Sequence, residues 1–341
     1  MKVGSSSSAR AARLPSRIAR GAALAACALA AAASFPAWSQ GAAGKYPDKP
    51  IHITVPFPPG GASDVMARLI GQKLQEAWGQ PVLVENKPGA NANIGSSYVA
   101  KSAPDGYNLL LVDLGSLIIS PAIMPSMNYS PTKDLAPIII AGYSPHILVV
   151  SNKLPVKTVD ELVQYAKAHK GKVSFGETPG AITHLAGVLF AQKKGIDWNY
   201  IGYKGGAQVI GDLAGGQIDV AMNSFLATYP MVKGGQIRML AVASPTRFKP
   251  IADTPTIAES IPGFVTGSYQ GILAPAGTPK EVIRKLHEEI AKIIATPQMK
   301  QKFVELGTEP VAKSSQEFGD WLVKETAFWG KVVKDGNVKV E

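Results

Sequence analysis

Cysteine is almost missing from this 341-residue chain, which contains one, at position 27. A single thiol cannot build a framework of intramolecular disulfides. The H-E-x-x-H and paired Cys/His spacings of zinc sites are also missing, as are the G-x-S-x-G turn of many hydrolases and the Walker A and G-x-G-x-x-G loops of nucleotide-binding proteins. The sequence therefore predicts no catalytic residues, no metal ion and no cofactor.

Strong charge is lacking as well. Charged residues make up 18% of the chain and hydrophobic residues 46%, which is typical of a globular protein. Of 35 basic and 25 acidic residues, five basic ones precede residue 40, so the remainder carries 30 minus 25, or +5. This mild charge, without a basic cluster interleaved with aromatics, gives no indication of nucleic-acid binding.

The N-terminus has the composition of an export signal. Residues 1–39 contain basic residues and no acid, then an Ala/Leu run over 21–33, then small residues at 37 and 39. We interpret 1–39 as a secretory signal peptide that is cleaved after Ser39. "LAAC" at 24–27 resembles a lipoprotein processing site, but the apolar run continues beyond Cys27, which favours an unlipidated product. No later stretch is apolar enough to span a bilayer, so we expect a periplasmic protein.

From residue 45 the hydrophobic pattern alternates between strand and helix in two series. Such alternation predicts doubly wound α/β domains. Strand-like segments near 141–150 and 266–275 are predicted to cross between them. We therefore predict one domain at 45–141 plus 270–341 and a second at 142–269.

Glycine-rich loops follow most of the predicted parallel strands. In an open parallel sheet, ligands bind beyond the carboxyl ends of the strands. Glycine allows close backbone approach, and each loop opens a helix whose first amides are unpaired and partly positive. The pattern predicts an anion site in a cleft between the domains. The loops supply the candidate ligand contacts Gly60, Gly61, Ala62, Ser63, Ala90, Asn91, Gly115, Ser116, Glu177, Thr178, Thr183, Tyr203, Lys204, Gly205 and Asn223.

The order of motifs resembles the Bug family, the extracytoplasmic solute receptors of tripartite tricarboxylate transporters. The resemblance spans residues 45–335 and includes "VPFPPGGASDVMARLI", "GQPVLVENKPGANANIG", "VAKSAPDGYNLLL" and "YKGGAQVIGDLAGGQIDV". It implies a type II periplasmic-binding-protein fold, a carboxylate ligand in the cleft, and two inner-membrane transporter subunits as transient partners. Through the first motif it adds Phe57 to the candidate contacts, and through the last it supports Tyr203 to Gly205.

Two positions depart from the family pattern. Glu177 stands where serine is usual, and Asn223 stands where aspartate is usual. Glu177 either faces the ligand and repels a second carboxylate, or turns outward and leaves the hydrogen bonds to Thr178 and Thr183. Lys204 is close enough in the predicted site to neutralise it.

The sequence thus predicts a periplasmic solute-binding protein, monomeric and not an enzyme. It would capture a small organic carboxylate and deliver it to a tripartite tricarboxylate transporter. A second hypothesis is a sensor that presents its ligand to a membrane kinase. A secreted α/β hydrolase is disfavoured because no nucleophile and base are paired in the sequence.

Overall fold

The computed structural model describes Met1 and residues 46–124 and 126–338. Apart from Met1, the predicted signal peptide, with Cys27 and the cleavage position, lies outside the described residues. All helices and strands given below belong to the unit that begins at Pro47. None of the helices in the described ranges is long and apolar enough to cross a membrane.

Strands and helices alternate in the first half of the fold. Its elements are β1 Ile51–Val55, α1 Ala62–Trp78, β2 Val82–Asn86, α2 Asn93–Ala100, β3 Asn108–Asp113 and α3 Leu114–Ile123. β1 pairs in parallel with β2 on one side and β3 on the other. The carboxyl ends of these three strands therefore lie at one edge of the sheet.

The second half repeats this arrangement. After β4 Leu135–Ser151, its elements are α4 Val159–Ala168, β5 Ser174–Glu177, α5 Ile182–Lys194, β6 Asn199–Gly202, α6 Gly206–Gly215, β7 Val220–Ser224, α7 Phe225–Lys233, β8 Ile237–Val242 and α8 Ile257–Ser260. β5 pairs in parallel with β6 and β7. The loops after these strands again open at one edge.

Two long strands run between the halves, and the last elements follow them. These are β4 and β9 Gly267–Pro275, then α9 Lys280–Ala295, α10 Pro297–Glu305, β10 Glu309–Lys313 and α11 Ser315–Asp335. Residues 135–145 of β4 pair with β9, whereas 146–151 pair with β7 and β8. The strand order is β2-β1-β3-β9-β4-β7-β5-β6. The predicted α/β class is confirmed, although each half adds antiparallel partners to its three parallel strands.

Four elements were not predicted from the sequence: α3, α7, α8 and β10. Helices α3 and α7 each start directly after a strand and contain a proline, Pro121 in α3 and Pro230 in α7. Proline ordinarily ends a helix because it lacks an N–H donor. α9 shows an amphipathic pattern, since Ile283, Leu286 and Ile290 are buried there at helical spacing.

Candidate functional site

A cavity of about 890 Å³ lies at the edge where the strand–helix loops open. The first half contributes residues 57–61 of the β1–α1 loop and the first two residues of α1. The second half contributes the first residues of α6 and α7, and β9 adds two polar side chains. The lining residues are Phe57, Pro58, Pro59, Gly60, Gly61, Ala62, Ser63, Asp113, Ser144, Gly206, Ala207, Ser224, Leu226, Ala227, Ser268, Gln270, Leu306 and Thr308.

The β1–α1 loop is held in place by one buried carboxylate. Asp64 accepts hydrogen bonds from the Gly60 amide at 3.0 Å, from Arg68 at 2.9 and 3.1 Å, and from Asn86 at 2.9 Å. Burial alone raises the pKa of Asp64, but these hydrogen bonds together outweigh it and hold the pKa at about 2. Asn86 also donates to the Phe57 carbonyl at 3.0 Å, so both ends of the loop are fixed. The carboxylate therefore orders the loop and is not available as a free base.

Four of the helices that start at the site lack side-chain caps, whereas α3 and α7 are capped by Asp113 and Ser224. The residues that precede α1, α2, α5 and α6 are Gly61, Ala92, Ala181 and Gly205, and none makes a capping side-chain hydrogen bond. Helices α4, α8, α10 and α11 start elsewhere and are each capped by a serine or threonine, although α9 is not capped. Uncapped amides at a helix start are free to bind an anion.

A second cavity, of about 210 Å³, adjoins the same loops. It is lined by Phe57, Asn91, Asp113, Gly115, Ser116, Gly180, Ala181 and Ile182, so it too has walls from both halves. Phe57 and Asp113 line both cavities. The loop that carries Asn91 is strained, because Ala90, Asn91 and Ala92 have φ angles of 47°, 49° and 71°. Such left-handed angles are unusual for residues other than glycine and are frequent at binding sites.

Asp113 ends β3 and caps α3. Its Oδ1 accepts the Gly115 amide at 2.9 Å, and Gln270 Nε2 lies 3.4 Å from Oδ2. Gln270 in turn accepts from the Ser63 hydroxyl at 2.7 Å, which links β9 to the start of α1. Burial raises the pKa of Asp113, and the hydrogen bonds from Ser268 and the Gly115 amide offset only part of that effect.

Glu177 turns toward its own helix. Its Oε2 lies 2.5 Å from His184 Nε2, and the two side chains are 11% and 8% exposed. The two atoms are close enough for an ion pair, but their geometry does not meet the angular criteria of a hydrogen bond. The Gly180 amide donates to His184 Nδ1 at 3.3 Å, so the imidazole connects both ends of the β5–α5 loop. Glu177 is therefore neither open to solvent nor part of either cavity wall.

The other polar candidates of the second half also engage neighbouring protein groups. The Tyr203 hydroxyl donates to Asp212 at 2.8 Å, and burial together with this bond raises its pKa to about 12. Lys204 is exposed. Asn223 donates to the Gly206 carbonyl at 3.1 Å and accepts from the Ser224 amide at 2.9 Å. Asn223 thereby holds together the starts of α6 and α7.

The structure brings eight of the predicted contacts to the two cavities: Phe57, Gly60, Gly61, Ala62, Ser63, Asn91, Gly115 and Ser116. Gly205 lines neither cavity, although its neighbour Gly206 lines the larger one. Glu177, Thr178, Thr183, Tyr203, Lys204 and Asn223 line neither, and Ala90 lines a separate cavity with Asn93. Their contact with ligand stays a prediction. Sequence interpretation missed Asp113, Ser144, Ser224, Ser268, Gln270 and Thr308 among the lining residues. Alternating polar residues in the apolar strand "GSYQGILAP" were a usable signal for Ser268 and Gln270.

Comparison with known proteins gives a consistent result. The sequence profile described as "Tripartite tricarboxylate transporter family receptor" matches residues 66–338. Protein BugT of Bordetella pertussis is 35% identical over 299 residues, which cover 87% of this chain and 92% of BugT.

Solved structures agree with the sequence matches. A protein of R. palustris with adipate superposes with a TM-score of 0.76 and 33% identity, over 86% of this chain and 99% of the other. The periplasmic binding protein BugD superposes with a TM-score of 0.72 and 30% identity, over 87% of this chain and all of BugD. These neighbours are solute-binding proteins with the same α/β architecture.

Proposed function

The chain belongs to the family of tripartite tricarboxylate transporter receptors, and we propose that it captures a small organic carboxylate in the periplasm for delivery to such a transporter. Its family and structural neighbours are solute-binding receptors and not enzymes. Proteins of this family are periplasmic, and a structural neighbour binds adipate, a dicarboxylate. The carboxylate class is proposed for this chain by that likeness and by its own site chemistry.

The observation that carries the proposal is the 890 Å³ cavity with uncapped helix starts in its wall. Ala62 and Ser63 open α1 from one side, and Gly206 and Ala207 open α6 from the other. Backbone amides at a helix start carry partial positive charge and point outward along the helix axis. A carboxylate between them would accept several hydrogen bonds without any lysine or arginine at the cavity wall.

Walls from both halves also support closure on binding. We take 45–141 plus 270–341 and 142–269 as the moving domains, joined through β4 and β9. Because contacts would form with both, ligand should favour the closed arrangement by hinge motion. Small-angle scattering with saturating ligand should give a smaller radius of gyration. An unchanged value at confirmed saturation would mean that the ligand binds without closure.

Delivery would require contact with membrane subunits. The family description supports this partner, and the ligand would be released when the two halves separate on the transporter. Co-purification of the tagged protein with the transporter subunits, in the presence of ligand, tests this step. Recovery of a membrane kinase in place of transporter subunits would favour the sensor hypothesis.

The central experiment is identification of the ligand. Protein purified under non-denaturing conditions is denatured, and the released small molecules are identified by mass spectrometry. A carboxylate in near-stoichiometric amount, which then binds the stripped protein in isothermal titration, is the expected result. A stoichiometric ligand without a carboxylate would refute the proposal.

A further inference from the structure

Asp113 is the one ionisable side chain among the described residues that line the two cavities. The remaining lining residues are apolar, hydroxylic or amide-bearing. Within the described part of the chain no lysine, arginine or histidine forms an ion pair with this carboxylate. Asp64, which directly follows the lining residue Ser63, differs because it is paired with Arg68. A carboxylate thus faces a site whose other feature is a set of positive helix ends.

Its two oxygens are not equally engaged. Oδ1 takes the Gly115 amide at 2.9 Å, as a helix cap does. Oδ2 has Gln270 Nε2 at the long distance of 3.4 Å, and the Ser268 side chain also donates a hydrogen bond to the carboxylate. Gln270 and Ser268 both line the larger cavity. A carboxylate has about four acceptor positions. Asp113 therefore keeps acceptor capacity on the side of the cavity.

Burial makes a lone carboxylate unfavourable here, and its raised pKa has that cause. A cation brought by the ligand would remove this penalty and form a charge-assisted hydrogen bond. A second ligand carboxylate at the same place would be repelled.

We propose that Asp113 is a specificity-determining residue that selects carboxylates bearing an ammonium group, with the ligand carboxylate at the helix starts and the ammonium at Asp113. This inference rests on the proposed function, because it assumes a carboxylate in the cleft. The site then has one positive end, made of the α1, α5 and α6 amides, and one negative end. A zwitterionic amino acid complements both ends, whereas a dicarboxylate complements one.

The test uses matched ligand pairs that differ by the amine. Isothermal titration compares L-glutamate with glutarate, L-aspartate with succinate, γ-aminobutyrate with butyrate, and L-phenylalanine with hydrocinnamate. Wild-type protein should bind the aminated member of at least one pair at least tenfold more tightly. Asp113→Asn should lose that preference by at least tenfold, because the amide removes the charge. Asparagine caps helices as well as aspartate does, so α3 should keep its start.

Glu76→Gln is the matched control. Glu76 lies on α1, is half exposed and lines neither cavity. Its replacement by glutamine removes one negative charge, as Asp113→Asn does. Its amine preference should equal that of wild type. The wild-type measurement needs no variant, so the inference can be judged even if Asp113→Asn fails to fold.

The outcomes separate the two proposals. If acids bind wild type without amine preference, or with a preference that Asp113→Asn retains, the inference is wrong and the proposed function stands. If wild type prefers the plain acid and binds it more tightly as pH falls, Asp113 acts as a neutral donor and the ammonium assignment is wrong. If wild type binds no member of any pair, the proposed function loses its support and the inference falls with it.

Discussion

Two loops of the fold are built alike, yet only one forms the wall of the large cavity. The first, 56–61, follows β1, and the second, 178–181, follows β5. Each opens a helix without a side-chain cap, and each has an acid with little solvent exposure beside it, Asp64 or Glu177. In the first loop Asp64 is held by Arg68, Asn86 and the Gly60 amide.

In the second loop Glu177 has His184 as its partner, and only Gly180 and Ala181 reach a cavity, the smaller one. The difference teaches that an acid in a glycine-rich loop does not by itself indicate ligand contact. The contacts of each acid must be known before it can be assigned to the loop structure or to the ligand site. In both loops the acid contacts other protein groups, so we expect the backbone amides to bind the ligand.

The largest expected effect on ligand affinity comes from a steric change in the first loop. Gly61→Val should lower ligand affinity at least about a hundredfold, or about 3 kcal/mol, because a side chain would project from the wall of the large cavity. The fold should tolerate it, since an added Cβ meets only the Pro58 carbonyl, at 3.7 Å, and the residue's φ is −74°. Isothermal titration and thermal unfolding measure the two effects.

Gly211→Val on the exposed face of α6 is its control, because an added Cβ there meets open space. The control should bind as wild type does. Normal binding by Gly61→Val would show that the first loop is merely structural, and the contrast between the two loops would disappear.

The second test removes the charge that holds the first loop. Asp64→Asn should cost about 2 kcal/mol in the free energy of unfolding at neutral pH, since the pKa falls from 3.8 to about 2 on folding. The folded-state pKa is depressed, so this contribution is present above about pH 4 and is lost as pH falls toward 2. At pH 3 the difference from wild type should be about half as large.

Urea unfolding of both proteins between pH 7 and pH 3 measures it. Arg68→Lys keeps the positive charge but not the two-pronged hydrogen bonds, so it should lose part of the same free energy. A difference between wild type and Asp64→Asn that does not change with pH would contradict the role assigned to the carboxylate.

The third test addresses the wall contributed by the second half. Asn223→Asp should destabilise the protein by about 1 kcal/mol, because a carboxylate cannot donate to the Gly206 carbonyl. Gly206 lines the large cavity, so affinity should fall as well. Asn152→Asp removes a similar amide-to-carbonyl bond, to Gly235 at 2.8 Å, on an exposed residue and should cost less. Equal losses of stability in the two variants would argue against a special role for Asn223.

The sequence was informative where strand, loop and helix follow one another directly. After β1 the local sequence was sufficient for four residues, since "PFPPGG" fixes a turn that bares amides, and Gly60, Gly61, Ala62 and Ser63 line the cavity. Phe57, which the family resemblance added, lines it as well. In the second half the prediction was displaced by a residue: Gly205 and Asn223 were named, while Gly206 and Ser224 line the wall. Which residue of a short loop faces a cleft depends on the exact helix start, and hydrophobic periodicity does not resolve it.

Contacts between distant segments were beyond reach of the pattern. Gln270 and Thr308 belong to the part of the chain that returns to the first half after residue 266. The Glu177–His184 pair is closer in sequence, but it too depends on how a turn places a strand end against a helix. Asp113 was visible as the last residue of a buried strand. It was missed because α3, the helix that it caps, was not recognised.

The smallest expected effect is on selectivity at Glu177. Were its charge in the cleft, an unscreened second carboxylate at ~4 Å would interact with it by about 4 kcal/mol at an effective dielectric of ~20. The side chain instead meets His184 and lines neither cavity, so Glu177→Ser should change the ratio of mono- to dicarboxylate affinity by less than about threefold, or ~0.7 kcal/mol. Isothermal titration of matched mono- and dicarboxylates measures that ratio, and Glu177→Gln, which keeps an acceptor for His184, separates selectivity from any loss of stability. A tenfold gain in dicarboxylate affinity in both variants would place the Glu177 charge within reach of the ligand. The acids of the two loops would then have different roles: Glu177 in the second loop would act on the ligand, and Asp64 in the first would hold the loop in place.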